Sequence, residues 1–175
     1  MPAYHSSQVA QMSLGNIGLL ALRGDQKGPG PRADPNSEDI IDEAIRYFKA
    51  NVFFKSFKPE HDSDRLLIYV TLWIQECLKT LQKCTSKDQA WKELYARSVQ
   101  EHPMPGDSRF PLNAFIHQPS PNEASKLREY LKQVRLETSK RMIEHALKED
   151  GKPDKWWMCF AKKRFLGLSL SGPGY

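Results

Sequence analysis

The side chains that could do acid–base, nucleophilic or metal chemistry are all present in this chain, but their spacing assembles none of them. Its five histidines, His5, His61, His102, His117 and His145, fall in separate segments. None forms an HExxH or other paired spacing that would set two ligands on one helical face, so they read as surface residues. Glu76 and Glu144 lie in helical stretches among lysines, where a solvated i,i+4 ion pair is the expected role rather than proton transfer. Cys77, Cys84 and Cys159 form an odd set without CxxC spacing, which indicates neither a disulfide framework nor a zinc site and fits a reducing compartment. KGPGPR, from Lys27 to Arg32, is rich in glycine but lacks the Gly-Lys-Ser/Thr ending that would hold phosphate and magnesium, and no Gly-x-Ser-x-Gly elbow occurs. The expectation is therefore no catalytic residue, no cofactor-binding residue, no cofactor and no metal ligand.

One segment does combine groups suited to binding. Between Lys152 and Phe165, Trp156, Trp157, Phe160 and Phe165 are interleaved with Lys155, Lys162, Lys163 and Arg164. Cations among aromatics can grip a phosphate chain and stack bases, which makes a basic helical nucleic-acid-binding module the alternative reading. The i,i+4 relations of Trp156 with Phe160 and of Trp157 with Ala161 favour a different arrangement, with the aromatics packed inward and the cations on a solvated face. Lys155, Lys162, Lys163 and Arg164 are then the candidate partner-interface residues, fit to dock on an acidic protein surface. The balance of 26 basic against 21 acidic side chains, formal charge +5, agrees with an anionic partner without specifying it.

The elements that must carry these residues read as all-α. A chain of 175 residues fits a single domain, 1–175, divided into an extended arm (1–35), a helical body (36–166) and an irregular tail (167–175). About five helices are expected. The central one, residues 64–84, has Thr71 as its only polar side chain between Leu66 and Ile74, so its first half must be buried on all sides by the others. In its second half Gln75, Glu76, Lys79, Thr80, Gln82 and Lys83 alternate with Cys77, Leu78, Leu81 and Cys84, which predicts an apolar stripe and an end that reaches solvent. The segment is too short and too polar at that end to span a bilayer. The N-terminus, uncharged before Arg23 and interrupted by Gly15, Asn16 and Gly18, lacks the build of a secretory signal, so an intracellular, soluble protein is expected.

The remaining helices have recognisable starts and stops. The first begins after Asn36 or Ser37, with Ile40, Ile41, Ala44, Ile45, Tyr47, Phe48 and Val52 on an apolar face that runs on into Phe53, Phe54 and Phe57. It should pack against the central helix, whose cap is Asp62 or Ser63. A third opens on a capping box of Ser86 and Gln89 and presents Ala90, Trp91, Leu94, Tyr95 and Val99. The fourth opens on Ser120, Pro121 and Glu123, carries Leu127, Leu131, Val134, Thr138, Met142, Ala146 and Leu147, and stops at Gly151. A fifth runs from about Pro153 through KWWMCFAKKRFLG. Two irregular stretches are apolar enough to lie on the body: IGLLALR from Ile17 and FPLNAFI from Phe110.

Several blocks together carry a family resemblance: MPAYHSS at the start, KGP at Lys27, DEAIRYFKANVFFK from Asp42, LIYVTLWIQECLKTLQKC in the central helix, FPLNA at Phe110, KWWMCF at Lys155 and LSLSGPG at the end. The chain resembles the family of third subunits of the actin-related protein 2/3 complex, over nearly its whole length. The resemblance implies an all-helical fold around one helix and a non-enzymatic scaffold role in nucleating branched actin filaments. It further implies actin-related protein 3 and the other subunits as partners, with the actin filament, and neither nucleic acid nor membrane. It implies a place in the cytoplasmic actin cytoskeleton and its actin-rich projections.

Overall fold

The computed structural model describes residues 3–171, in which the helical core forms around α2, Asp62–Leu81. α2 packs against α1 (Ile40–Asn51), α3 (Lys87–Val99) and α4 (Pro121–Ala146), so every side of its first half meets another element. Leu66, Leu67, Ile68, Val70, Leu72 and Ile74 are 0 or 1% exposed, as an all-apolar segment requires. Thr71 Oγ1 donates to Leu67 O one turn back at 2.8 Å, and the two aromatic polar atoms of the stretch are also paired, the Tyr69 hydroxyl accepting from Arg135 at 3.0 Å and the Trp73 indole N–H donating to Ser139 Oγ at 2.9 Å. Among the described residues no helix is long and apolar enough to cross a membrane.

The fold is not purely helical. A two-residue turn at Gly15 and Asn16 joins two short antiparallel strands, β1 (Ser13–Leu14) and β2 (Ile17–Gly18), with Leu14 opposite Ile17. Gly15 adopts φ +60°, the left-handed region that a hairpin turn uses and glycine occupies without strain. β2 packs on α2, and Ile17, Leu19, Leu20 and Leu22 are buried. The expectation that IGLLALR lies against the body holds, and likewise for Phe110, Leu112 and Ile116 of the later irregular stretch.

The arm stays in place because buried carboxylates on the helices satisfy its backbone. An extended chain rich in glycine and proline has few internal partners for its N–H groups, and leaving them unpaired in the interior costs about 1–3 kcal/mol each. Glu43 accepts from Ser6 Oγ, Ser7 N and Ser7 Oγ at 2.6 to 2.7 Å. On α4, Glu137 accepts from Gln26 N at 2.6 Å and Gln133 from Gly30 N at 2.8 Å. The Tyr130 hydroxyl donates to Leu20 O at 2.7 Å and accepts from Leu20 N at 3.0 Å.

Several boundaries differ from the sequence reading. The first helix is capped by Asp39 rather than Asn36 or Ser37; its side chain and that of Asp42 form the reciprocal capping box. The residue preceding α2 in cap position is His61, without a side-chain cap bond, since Asp62 and Ser63 are already helical. Ser86 caps α3 as expected, but its Gln89 partner reaches Thr85 N instead of the cap's own backbone. On that helix Tyr95 and Val99 face solvent, because the buried side narrows to Ala90, Leu94 and Ser98. Ser120 precedes α4 with Pro121 in the first turn, yet its hydroxyl bonds to the Glu123 carboxylate and makes no cap bond. α4 ends at Ala146, not Gly151. Gly151, φ +81°, instead closes a turn in which Lys148 N donates to Lys152 O, and Leu147 bridges Pro153.

Candidate functional site

The segment that carried the binding chemistry in sequence is not one helix. α5, Lys155–Met158, is a single turn capped by Asp154, whose side chain accepts from Trp156 N. Turns follow, and then a 3₁₀ turn, Phe165–Gly167, in which Leu166 adopts φ +57°. Loss of helical phase changes which side chains face inward. Trp157 is buried and stacks on Phe48 at 6.1 Å between ring centres, and Phe165 packs edge-on to Phe57 at 5.8 Å. Trp156 points the other way and is 68% exposed, so the expectation of inward packing fails for it.

The four candidate cations consequently separate. The Lys155 ammonium lies 5.3 Å from the centre of the exposed Trp156 ring, and that of Lys163 lies 5.4 Å from Phe53, itself 60% exposed and edge-on to Phe160. Both are cation–π placements on solvated rings, worth about 0.5–1 kcal/mol at such sites. Lys162 and Arg164 line a groove of about 1000 Å³ instead. They face residues from the C-terminal half of α2 (Glu76, Lys79), Lys83 just beyond it, α3 (Glu93, Arg97) and the following loop (Glu101, His102, Arg109).

The end of the segment reaches solvent at Gln82 and Lys83 as expected, but the polar side of α2 before it, at Gln75, Glu76 and Thr80, is covered. Gln75 accepts from Phe165 N and donates to Leu168 O at 3.3 Å, and both Gln75 and Glu76 are buried. Glu76, expected as a solvated i,i+4 partner, is a buried carboxylate. It receives Ser169 Oγ at 3.2 Å, Ser171 Oγ, the Lys79 ammonium at 3.4 Å and the Arg97 guanidinium at 3.5 Å. The tail therefore returns to the core through residue 171; the rest of the LSLSGPGY block lies outside the described residues. Glu144 keeps its expected exposure but pairs across helices with Lys87 at 3.3 Å. Beside Trp73, burial pushes the His102 imidazole below its ordinary pKa, and its Nε2–H donates to Arg97 O at 2.7 Å.

A metal-type grouping of His5, Glu60 and Asp64 is the one such set among the described residues. Sequence spacing gave no sign of it, because His5 comes from the arm and the carboxylates from the start of α2 and the loop before it. Both Asp64 oxygens are already engaged: Oδ1 accepts from Ser6 N at 2.8 Å, and Oδ2 from Glu60 N at 2.9 Å and the His5 ring at 2.7 Å. A cation entering there would compete with the bonds that dock the arm, so the cluster reads as an anchor. The two buried thiols are equally unpromising as nucleophiles. Burial pushes the Cys77 thiol up to about 12 and raises that of Cys84.

The candidate cations thus divide between the groove, with Lys162 and Arg164, and the exposed aromatics Phe53 and Trp156, with Lys163 and Lys155. A family model described as the ARP2/3 complex ARPC3 (21 kDa) subunit matches residues 1–170. A probable actin-related protein 2/3 complex subunit 3 of Caenorhabditis elegans is 41% identical, covering 99% of this chain and 98% of that protein. The actin-related protein 2/3 complex subunit 3 of Schizosaccharomyces pombe is 41% identical, covering 97% and 100%, and that of Arabidopsis thaliana 40%, covering 94% and 97%.

Proposed function

The chain belongs to the ARP2/3 complex 21 kDa subunit family, and from that premise we propose that it is a non-catalytic structural subunit of the complex. In this role it supports nucleation of branched actin filaments by contacting actin-related protein 3 and the mother filament. Its place is the cytoplasmic actin cytoskeleton, including actin-rich projections. The observation that carries the reading is the match along residues 1–170, which spans the whole helical body.

The chemistry of the surface supports the same role. His5 with Asp64 holds the arm to the body, and Glu76, flanked by Lys79 and Arg97, holds the tail through Ser169 and Ser171. Lys155, Lys162, Lys163 and Arg164 are exposed, on two separate patches, and suit the acidic surfaces of actin-like partners. Charged rims of this kind act mainly on association rate and orientation, with a strong dependence on ionic strength.

Co-purification tests the assembly role. A tagged chain should bring down the other subunits of the complex in equal amounts, and recovery of the chain alone would contradict it. Reversing Lys162, Lys163 and Arg164 together should slow assembly or branching at low salt, with the difference shrinking as salt rises. Unchanged branching at low salt would remove these residues from the interface.

A further inference from the structure

The tail crosses the polar side of α2 on few attachments. Phe165 N donates to Gln75, and Gln75 donates back to Leu168 O at 3.3 Å. Past Leu168, among the described residues, hydrogen bonds to the helices run only through serine hydroxyls. Ser169 Oγ donates to Glu76 Oε1 at 3.2 Å and accepts from the Lys79 ammonium at 3.4 Å, and Ser171 Oγ donates to Glu76 Oε2. Leu166, Leu168 and Leu170 add partial apolar packing. The turn that sends the tail back is strained: Leu166 is the one non-glycine residue with positive φ among the described residues, a conformation that a Cβ disfavours.

We propose that Ser171 is a phosphorylation site and that a phosphate there releases residues 168–171 from Glu76. A protein kinase supplies the phosphoryl group from ATP. Ser171 Oγ bonds to the γ-phosphorus, the bond from that phosphorus to the ADP oxygen breaks, and the hydroxyl proton passes to the kinase's base. The proposal concerns the chain's own tail and goes beyond the assembly role.

The buried acceptor decides the direction of the effect. Glu76 is 2% exposed, so its carboxylate cannot swing into water. Once modified, Ser171 has no O–H to give, and a group of about −2 charge stands against that carboxylate. Lys79 and Arg97 bring two positive charges, at 3.4 and 3.5 Å, whereas Glu76 and the phosphate together bring about three negative ones. Ser171 is favoured over Ser169, although both are half-buried. The Ser169 hydroxyl also accepts from Ser171 N at 3.2 Å and from Lys79, while that of Ser171 is held by Glu76 alone among the described residues. Peeling the segment far enough for a kinase to bind breaks these side-chain bonds and no helix or strand. The similar cluster in the arm, Ser6 and Ser7 on Glu43, is a poorer switch, because Ser6 N and Ser7 N anchor it as well and phosphorylation leaves backbone donors in place.

The test uses the full chain purified with its partner subunits. Phosphoserine is encoded at position 171 and, as a control, at Ser125, exposed on α4. Chymotrypsin cleavage after Leu168, followed by mass spectrometry, reads the opening of the tail. Phosphoserine at 171 should raise the cleavage rate about tenfold, Ser171→Ala about threefold through the lost bond alone, and phosphoserine at 125 not at all. Glu76→Gln, with the melting temperature checked, should bring the phosphorylated chain back to about the Ser171→Ala rate. An unchanged or lower rate with phosphoserine at 171 overturns release, as does a tenfold rise that Glu76→Gln leaves in place. If Glu76→Gln does not fold, equal rates for phosphoserine at 171 and Ser171→Ala overturn it. Use of the site is read from chain recovered from cells under phosphatase inhibitors. The tryptic peptide that begins at Phe165 should carry phosphate on Ser171, and its absence from that residue overturns the assignment.

Discussion

The carboxylate of Asp64, buried in the first turn of α2, holds the imidazole of His5 at 2.7 Å, although 59 residues separate them in sequence. The same carboxylate accepts from the backbone of Ser6 and Glu60, so one side chain pins the arm and the loop before α2 together. Asp64→Ala should cost about 3–5 kcal/mol, because two interior N–H groups lose their acceptor at once. Urea denaturation measures the loss, and limited proteolysis should cut earliest before residue 13. A loss under about 1 kcal/mol would mean that the arm is held elsewhere.

Leu72 is fully buried at the centre of α2. Leu72→Asp should leave the chain insoluble or unfolded, since an unpaired interior charge costs several kcal/mol. A soluble variant with an unchanged melting temperature would be incompatible with the position of this helix.

Gly30 is required where the arm crosses α4. A methyl group there would stand 2.8 Å from both Gln133 Oε1 and the Tyr130 ring, and Tyr130 cannot withdraw because its hydroxyl bridges Leu20. Gly30→Ala should destabilise by about 1–3 kcal/mol through overpacking. Tyr130→Phe removes that tether, so the glycine change should cost less in the phenylalanine background than in the wild type; thermal melts of the two single variants and the double variant make the comparison.

Thiol labelling should separate the three cysteines. Cys159 is exposed, whereas Cys77 and Cys84 are buried with raised thiol pKa values. Ellman's reagent at neutral pH should titrate one thiol per native chain quickly and all three in denaturant. Rapid reaction of a second thiol in the native chain would place one of the buried pair at the surface.

Two carboxylates should oppose each other in the dependence of stability on pH. Burial raises the Glu137 carboxyl above its ordinary value, against the hydrogen bond from Gln26. Its favourable contribution is complete below the ordinary glutamate value and is lost as pH rises through the raised one, so mild acidification should stabilise through this group. Burial also pushes Asp42 up, but Arg23 and Arg141 outweigh it and leave the carboxyl below the ordinary aspartate value. Its contribution is present above that ordinary value and is lost as pH falls through the depressed one. Glu137→Gln should therefore flatten the stability profile just above the ordinary glutamate range and leave the acid limb in place. A series of urea melts across pH shows whether it does.

Periodicity and capping chemistry are local properties, and they placed most of this fold. An all-apolar run at Leu66–Ile74 can only be buried, and Ser86 and Pro121 mark helix starts, whatever surrounds them. The blocks that carried the family resemblance are local in the same sense, being strings of adjacent residues. The Gly-Asn pair at 15 and 16 was an available hairpin signal that the all-α reading passed over. Tertiary structure alone decided the fate of the charged groups. Glu43, Asp64, Glu76 and Glu137 look like solvent-facing helix residues in sequence, yet each is buried because an irregular segment distant along the chain brings it N–H or O–H donors. Trp156 and Trp157 are neighbours in sequence with opposite fates, because α5 ends after one turn. That early ending also sends Lys162 and Arg164 to the groove and Lys163 to Phe53. Which donor reaches a carboxylate, and which way a side chain points once helical phase is lost, depend on long-range packing, and no spacing along the chain encodes either.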